Sequence, residues 1–263
     1  YIYYFMIEFK FNHEIINVKL RKDIIVVVCI NKILIFNLNN FEKIDIIETE
    51  FNYLGIVAIS YESEKAVLAY PDKQAGYVGI KNFENKSLDS NIKAHDNKIA
   101  YLLLSYDGRI LATASEQGTL IRIFNTENKN LLQEVRRGKD KADIKYICFD
   151  TNLKYMAALS NRKTIHIWSL KNLEKKDDKE NEEKNLIENK TSTFKWLPTI
   201  LVGDFFNSEW SFAQIRNIEP QSIFCFGKDN AIIIVSNDGK YCKYQIDFEK
   251  GGECIIMEEY QIN

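Results

Sequence analysis

No run of apolar residues in this chain is longer than seven. The two longest, Tyr1 to Ile7 and Ile24 to Ile30, fall far short of the ~20 residues that a membrane-spanning helix needs, so a transmembrane helix is excluded. A surplus of one charge is missing as well. Lys+Arg 35 against Asp+Glu 37 leaves a net charge of −2, which argues against a basic coat for nucleic acid or membrane and makes any anion site local. The five cysteines are an odd number with no C-x-x-C pair. Cys29, Cys148, Cys225, Cys242 and Cys254 read as reduced core thiols of a cytoplasmic protein. No nucleophile or metal-ligand cluster appears, so the reading is of a protein that is not an enzyme and needs no metal or cofactor. Helical periodicity is nowhere sustained. The chain opens at Tyr1 without methionine or a signal sequence, and is expected to be a fragment of a longer protein.

What the sequence does contain is one figure repeated five times. Ile24 to Ile30, the turn Asn31-Lys32 and Ile33 to Phe36 read as two β-strands joined tightly. The same figure returns in Ala66 to Tyr70 with Tyr77 to Ile80, and in Ile110 to Ser115 with Thr119 to Phe124. It returns again in Tyr155 to Ser160 with Thr164 to Trp168, and in Ala231 to Ser236 with Lys240 to Tyr244. The residues ending each first strand, Cys29, Tyr70, Ser115, Ser160 and Ser236, are separated by 41, 45, 45 and 76 positions. The first three intervals match the ~40–45-residue period of a WD40 propeller blade. The excess in the last falls on Lys171 to Lys195, which holds seven lysines and seven acidic residues without a strand pattern. It reads as a long, mobile, charged loop inserted in one blade. An all-β, WD40-like β-propeller with about five blades follows, as a single domain over residues 1–263.

Between two of these units lies Gln133-Glu134-Val135-Arg136-Arg137-Gly138. In an extended segment neighbouring side chains point to opposite faces, so Arg136 and Arg137 are expected to serve two adjacent sites. Guanidinium offers planar, bidentate hydrogen bonding to phosphate oxygens. Ser and Thr four apart recur in both flanking blades, as Ser115/Thr119 and Ser160/Thr164, and two of the three histidines, His95 and His166, lie nearby. Such duplication suits two similar phosphate pockets. The competing reading makes the arginines surface salt-bridge partners of Glu134, Asp140 or Asp143. Trp168, Trp210, Phe212 and Tyr244 are expected in the core.

These residues also carry a resemblance. Val18 to Val28, Leu68-Ala69-Tyr70-Pro71, Ala94-His95, Ala112 to Phe124, Arg136-Arg137-Gly138, Ser208 to Ala213 and Gly251 to Cys254 resemble the PROPPINs, seven-bladed propellers that bind polyphosphoinositides and include WIPI-type autophagy proteins. The resemblance implies that about two N-terminal blades are absent here. It assigns one phosphoinositide site to His95, Ser115, Thr119, Arg122 and Arg136, and a second to Arg137, Ser160, Thr164 and His166. It implies a peripheral membrane effector that binds phosphatidylinositol 3-phosphate and the 3,5-bisphosphate. Its partners would be phosphoinositide-bearing membranes and autophagy or trafficking proteins, with no nucleic acid. Autophagic, endosomal or other organelle membranes would be its place of recruitment. In the family a loop at the position of Lys171 to Lys195 helps to penetrate the bilayer. Here only Leu186-Ile187, Phe194, Trp196 and Leu197 are apolar enough to do so. The alternative is a WD40-type protein-interaction scaffold that does not bind lipid.

Overall fold

A computed structural model describes residues 8–62, 66–84, 89–171, 187–191 and 208–262. The Tyr1 to Ile7 run, most of the charged loop, and Leu186, Phe194, Trp196 and Leu197 lie outside them. The described residues form five antiparallel meanders, each a sheet whose strands pair in chain order. The first sheet is β1 (Ile15–Leu20), β2 (Ile24–Cys29), β3 (Lys32–Asn37) and β4 (Lys43–Glu48). The second is β5 (Ala58–Ile59), β6 (Val67–Pro71), β7 (Tyr77–Asn82) and β8 (Ser90–Lys93). In the third, β9 (Ile99–Leu104), β10 (Ile110–Ser115), β11 (Leu120–Asn125) and β12 (Leu131–Arg136) carry an additional short strand, β16 (Glu209–Trp210), on the outer edge. The fourth is β13 (Ile144–Phe149), β14 (Tyr155–Ser160), β15 (Thr164–Ser169) and β17 (Ala213–Arg216), edged in the same way by β21 (Gly252–Glu253). The fifth is β18 (Ile223–Phe226), β19 (Ala231–Val235), β20 (Lys240–Gln245) and β22 (Ile255–Gln261).

All five hairpins expected from the repeat join the second and third strands of a sheet. Pro71 belongs to its strand rather than to the turn, because it stands at the strand's end opposite Val78, where a missing N–H is tolerated. The second strands read as continuous apolar runs, since both their faces are covered: all six residues of β10 are buried. The outermost strands need no such composition, and every residue of β22 is exposed.

Apolar clusters fill the space between consecutive sheets. Ile33, Ile35, Val57 and Leu68 join the first to the second, and Val78, Leu102 and Phe124 the second to the third. Ile121, Val135, Met156 and Trp168 join the third to the fourth, and Leu159, Ile167, Phe212 and Ile232 the fourth to the fifth. The innermost strands converge, β5 on β9, β9 on β13 and β13 on β18. Asn17, Ala58, Leu102 and Ile147, one from each of the first four innermost strands, help line a cavity of about 390 Å³. Trp168 and Phe212 are core residues as expected, whereas Trp210 and Tyr244 are half-buried.

Two expectations are corrected. Cys29, Cys242 and Cys254 are buried, but Cys148 is half-buried and Cys225 exposed; alternation along β18 turns Phe224 inward and Cys225 out. The inserted stretch is not wholly a solvated loop. Ile187 packs against the cluster between the fourth and fifth sheets, which removes it from the residues able to enter a bilayer. Asn189 is buried, and Lys190 exchanges backbone hydrogen bonds with Trp210 at 3.1 and 2.8 Å.

Hairpins and inter-sheet connectors meet at one end of the sheets, and glycine makes the approach possible. Gly118 has φ +56, and a Cβ there would stand 1.8 Å from the Ala142 carbonyl oxygen. Gly76, with φ +80, lies as closely against the carbonyl of His95, where a Cβ would stand 2.0 Å from the oxygen. Gly138, by contrast, has nothing within 4 Å of such a Cβ. Gly118→Ala is therefore expected to lower stability in urea unfolding by about 1–3 kcal/mol or more, while Gly138→Ala stays within about 0.5 kcal/mol of the parent. Equal effects would mean that the connector does not depend on the glycine.

Candidate anion-binding site

The candidate residues gather at this same end of the third and fourth sheets. Ser115 and Ser160 close β10 and β14, Thr119 and Thr164 stand where the partner strands begin, and Arg136 ends β12. The equivalence of Ser115/Thr119 and Ser160/Thr164 is thus real: each pair brackets the turn of one hairpin. Ser160 Oγ accepts from the Arg162 N–H at 3.3 Å, and the Ser115 carbonyl accepts from the Gly118 N–H at 2.8 Å. These contacts are the ordinary bonds of a tight turn.

The two arginines are both buried, with 6% of each exposed, which excludes the reading of surface salt bridges. Their side chains diverge. Arg136 Nε donates to Ser208 Oγ at 2.7 Å. Arg137 Nε donates to the Gly118 carbonyl at 2.9 Å, and its Nη2 to the Asp140 carbonyl. Carbonyl oxygens orient the Arg137 guanidinium without cancelling its charge. Burial lowers the pKa of both arginines, for Arg137 with the help of Arg162 nearby, yet arginine stays protonated at any ordinary pH. Glu134 turns instead to Arg122, whose Nε lies 2.7 Å from the carboxylate while its Nη1 donates to the Ala94 carbonyl at 2.7 Å.

Each of the two candidate histidines sits near at least one arginine. His95, buried in the β8–β9 connector, has Nε2 at 2.9 Å from Thr113 Oγ1. Burial, then the charge of Arg122, push its pKa down to about 4. His166 on β15 has Nδ1 at 2.9 Å from Ser211 Oγ and stacks on Trp168 with ring centroids 5.7 Å apart. Burial, then Arg137 and Arg216, hold it down to about 4 as well. The structure therefore groups His95 with Arg122, and His166 with Arg137. Arg136 is engaged by Ser208, the residue immediately before β16 in the chain that follows the fourth sheet's third strand.

Sequence reasoning missed several participants. Thr113 precedes Ser115 by two on one strand, so alternation places it on the same face as Ser115. Ser208 and Ser211 lie in the Ser208 to Ala213 segment, singled out only as a signature. Arg162 occupies the hairpin turn, and Arg216 stands opposite Thr164 in the β15–β17 pairing and ion-pairs with Glu253 at 3.5 Å. Nothing in the sequence links Arg216 to residue 164 before the strands are paired.

Meandering sheets packed face to face, their innermost strands converging on a cavity, define a WD40-like β-propeller. The family model described as PROPPIN matches residues 4–262, and the chain belongs to that family. It is 34% identical over 252 residues to autophagy-related protein 18e of Arabidopsis thaliana, covering 95% of this chain and 64% of that protein. It is 27% identical to WD repeat domain phosphoinositide-interacting protein 1 of Xenopus laevis, covering 97% of this chain and 60% of the relative. The chain thus spans less than two thirds of the length of either. In fold it matches the Kluyveromyces lactis Hsv2 structure with a TM-score of 0.71 and 22% identity, over 97% of this chain and 76% of that one.

The two histidines make stability depend on pH. Each binds a proton near 6.5 when unfolded but only near 4 when folded, so their contribution is complete above 6.5 and is lost as pH falls toward 4. Urea midpoints measured across this range are expected to fall with acid, and His95→Gln or His166→Gln to flatten the slope. An unaltered slope in both variants would place the acid sensitivity elsewhere.

Proposed function

We propose that this chain binds phosphoinositide head groups and acts as a peripheral membrane effector in autophagy or endosomal trafficking. Phosphatidylinositol 3-phosphate is the expected ligand, with the 3,5-bisphosphate as a second. The observation that carries the reading is the pair of adjacent, buried, diverging arginines set among hydroxyl and imidazole groups at one end of two sheets. A phosphate monoester carries about −1.5 to −2 charges and is met by guanidinium and hydroxyl donors with no chemical step. Family membership supports the reading, as does the printed name of the Xenopus relative. In it Arg136, with His95, Ser115, Thr119 and Arg122, serves one head group, and Arg137, with Ser160, Thr164 and His166, the other. Two weak sites engaged together on one membrane multiply through effective concentration. No helix among the described residues is long and apolar enough to cross a membrane, and recruitment through head groups requires none.

One observation favours a protein-interaction scaffold instead. Arg122 is committed to Glu134 and to the Ala94 carbonyl, so binding phosphate there means breaking an internal ion pair.

Sedimentation with liposomes bearing each phosphoinositide in turn separates the two readings. Removing a charge-assisted hydrogen bond should cost about 1.5–3 kcal/mol, so Arg136→Thr and Arg137→Thr singly should weaken sedimentation and the double variant abolish it. Circular dichroism should show the fold retained. Undiminished binding by a folded double variant would overturn the assignment to the arginines, and a parent chain that sediments with none of the liposomes would leave the scaffold reading standing.

A further inference from the structure

Separate pieces of chain meet at one buried carboxylate that the proposed head-group chemistry does not use. Glu209 Oε2 accepts from Gln133 Nε2 at 2.8 Å and from Asn189 Nδ2 at 2.8 Å, and Oε1 accepts from the Lys171 ammonium. Gln133 in turn donates to the Ser169 carbonyl at 3.1 Å and accepts from the Lys171 N–H at 3.1 Å. Asn189 pairs with both backbone groups of Ser169, at 2.8 and 2.7 Å. Gln133, Ser169, Asn189 and Glu209 are all buried. Burial pushes the Glu209 carboxyl up, but the bonds from Lys171, Asn189 and Gln133 outweigh it and hold the group below the usual carboxylate range.

Glu209 has Ser208 and Trp210 as chain neighbours. Ser208 Oγ receives the Arg136 Nε–H, and Trp210 stands opposite Arg136 in the β12–β16 pairing. A parallel strand of two residues has almost no ladder to hold it in place. Its seat rests also on the backbone exchange between Lys190 and Trp210 and on the side chains beside it, of which Gln133, Asn189 and Lys171 bind Glu209.

We propose that Glu209 is a positioning residue for Arg136: it seats Ser208–Trp210 on the end of β12 and so fixes the direction in which the Arg136 guanidinium meets a phosphate. This rests on the head-group reading above. Arg137 owes nothing to the clasp, because its bonds run to Gly118 and Asp140. A merely structural carboxylate would affect both arginines alike, whereas a positioning one affects Arg136 alone.

The test uses the full chain with Glu209→Gln, which keeps the volume and removes the charge. In the ligand-free protein the ¹⁵N-arginine Nε–Hε resonance of Arg136 should shift or broaden, and that of Arg137 should not. Binding of short-chain, soluble phosphatidylinositol 3-phosphate is then titrated with one site at a time. In an Arg137→Thr background, where only the Arg136 site remains, Glu209→Gln should weaken binding by about tenfold. In an Arg136→Thr background it should change nothing. Equal weakening in both backgrounds, or an unmoved Arg136 resonance, would overturn the proposal. Should the parent protein fail to bind the lipid, the head-group reading falls, while the resonance still decides whether Glu209 positions Arg136. Should Glu209→Gln not fold, Asn189→Ser, which removes the amide's bonds to Glu209 and Ser169 but keeps the carboxylate, should move the same resonance in the same direction by less, and a folded Asn189→Ser with that resonance unmoved would overturn the proposal.

Discussion

The second strands of the described sheets are buried along most of both faces, so no sheet can stand alone in water. Burial is worth about 1.5–3 kcal/mol for each large aliphatic side chain, and the clusters holding Ile33, Leu102, Ile121 and Leu159 obtain it only where one sheet packs against the next. Stacking twisted sheets in this way turns each against the last and brings their innermost strands together. It also brings each hairpin turn up against the next inter-sheet connector, so tightly that Gly76 and Gly118 have no room for a Cβ. The candidate anion site is a product of that packing. His95 lies in a connector, Ser115 and Thr119 flank a turn, and they are neighbours because the sheets are.

The same packing explains what was legible in the sequence. Continuous apolar second strands followed by turn residues marked all five hairpins, because both faces of those strands are buried and the composition cannot vary far. The spacing of Ser115 to Ser160 carried the blade period, and the adjacency of Arg136 and Arg137 carried the divergence of their side chains. Short strands without their own composition were not legible. β16 and β21 have two residues each and are defined only by the edges they cover. For the same reason Ser208 and Arg216 could not be joined to the site before the pairing of strands was known. Charge misled in the inserted segment: Asn189 sits among lysines and glutamates and is buried all the same, since its amide satisfies the backbone of Ser169.

Electrostatically the site is built from groups that dislike burial. Two guanidinium groups are almost removed from water, and two imidazoles are held neutral by burial and by the cations beside them. Carbonyl oxygens from Ala94, Gly118 and Asp140 carry much of the burden of orienting the cations. Such acceptors lower the cost of a buried positive charge without neutralising it. In the proposed reading a phosphate meets donors already oriented, with little side-chain freedom left to lose.

The short strand β16 has a bearing on how the molecule is made. It completes the outer edge of the third sheet, yet Glu209 follows its partner Gln133 by 76 positions. A ribosome adding ~5–20 residues per second needs roughly 4–15 s to cross that distance. Throughout this interval the edge of β12 and the guanidinium of Arg136 have emerged without the segment that covers them. The third sheet is therefore finished only after the third strand of the fourth has been synthesised. Translation speed across residues 137–208 sets how long an open edge is offered to other nascent chains.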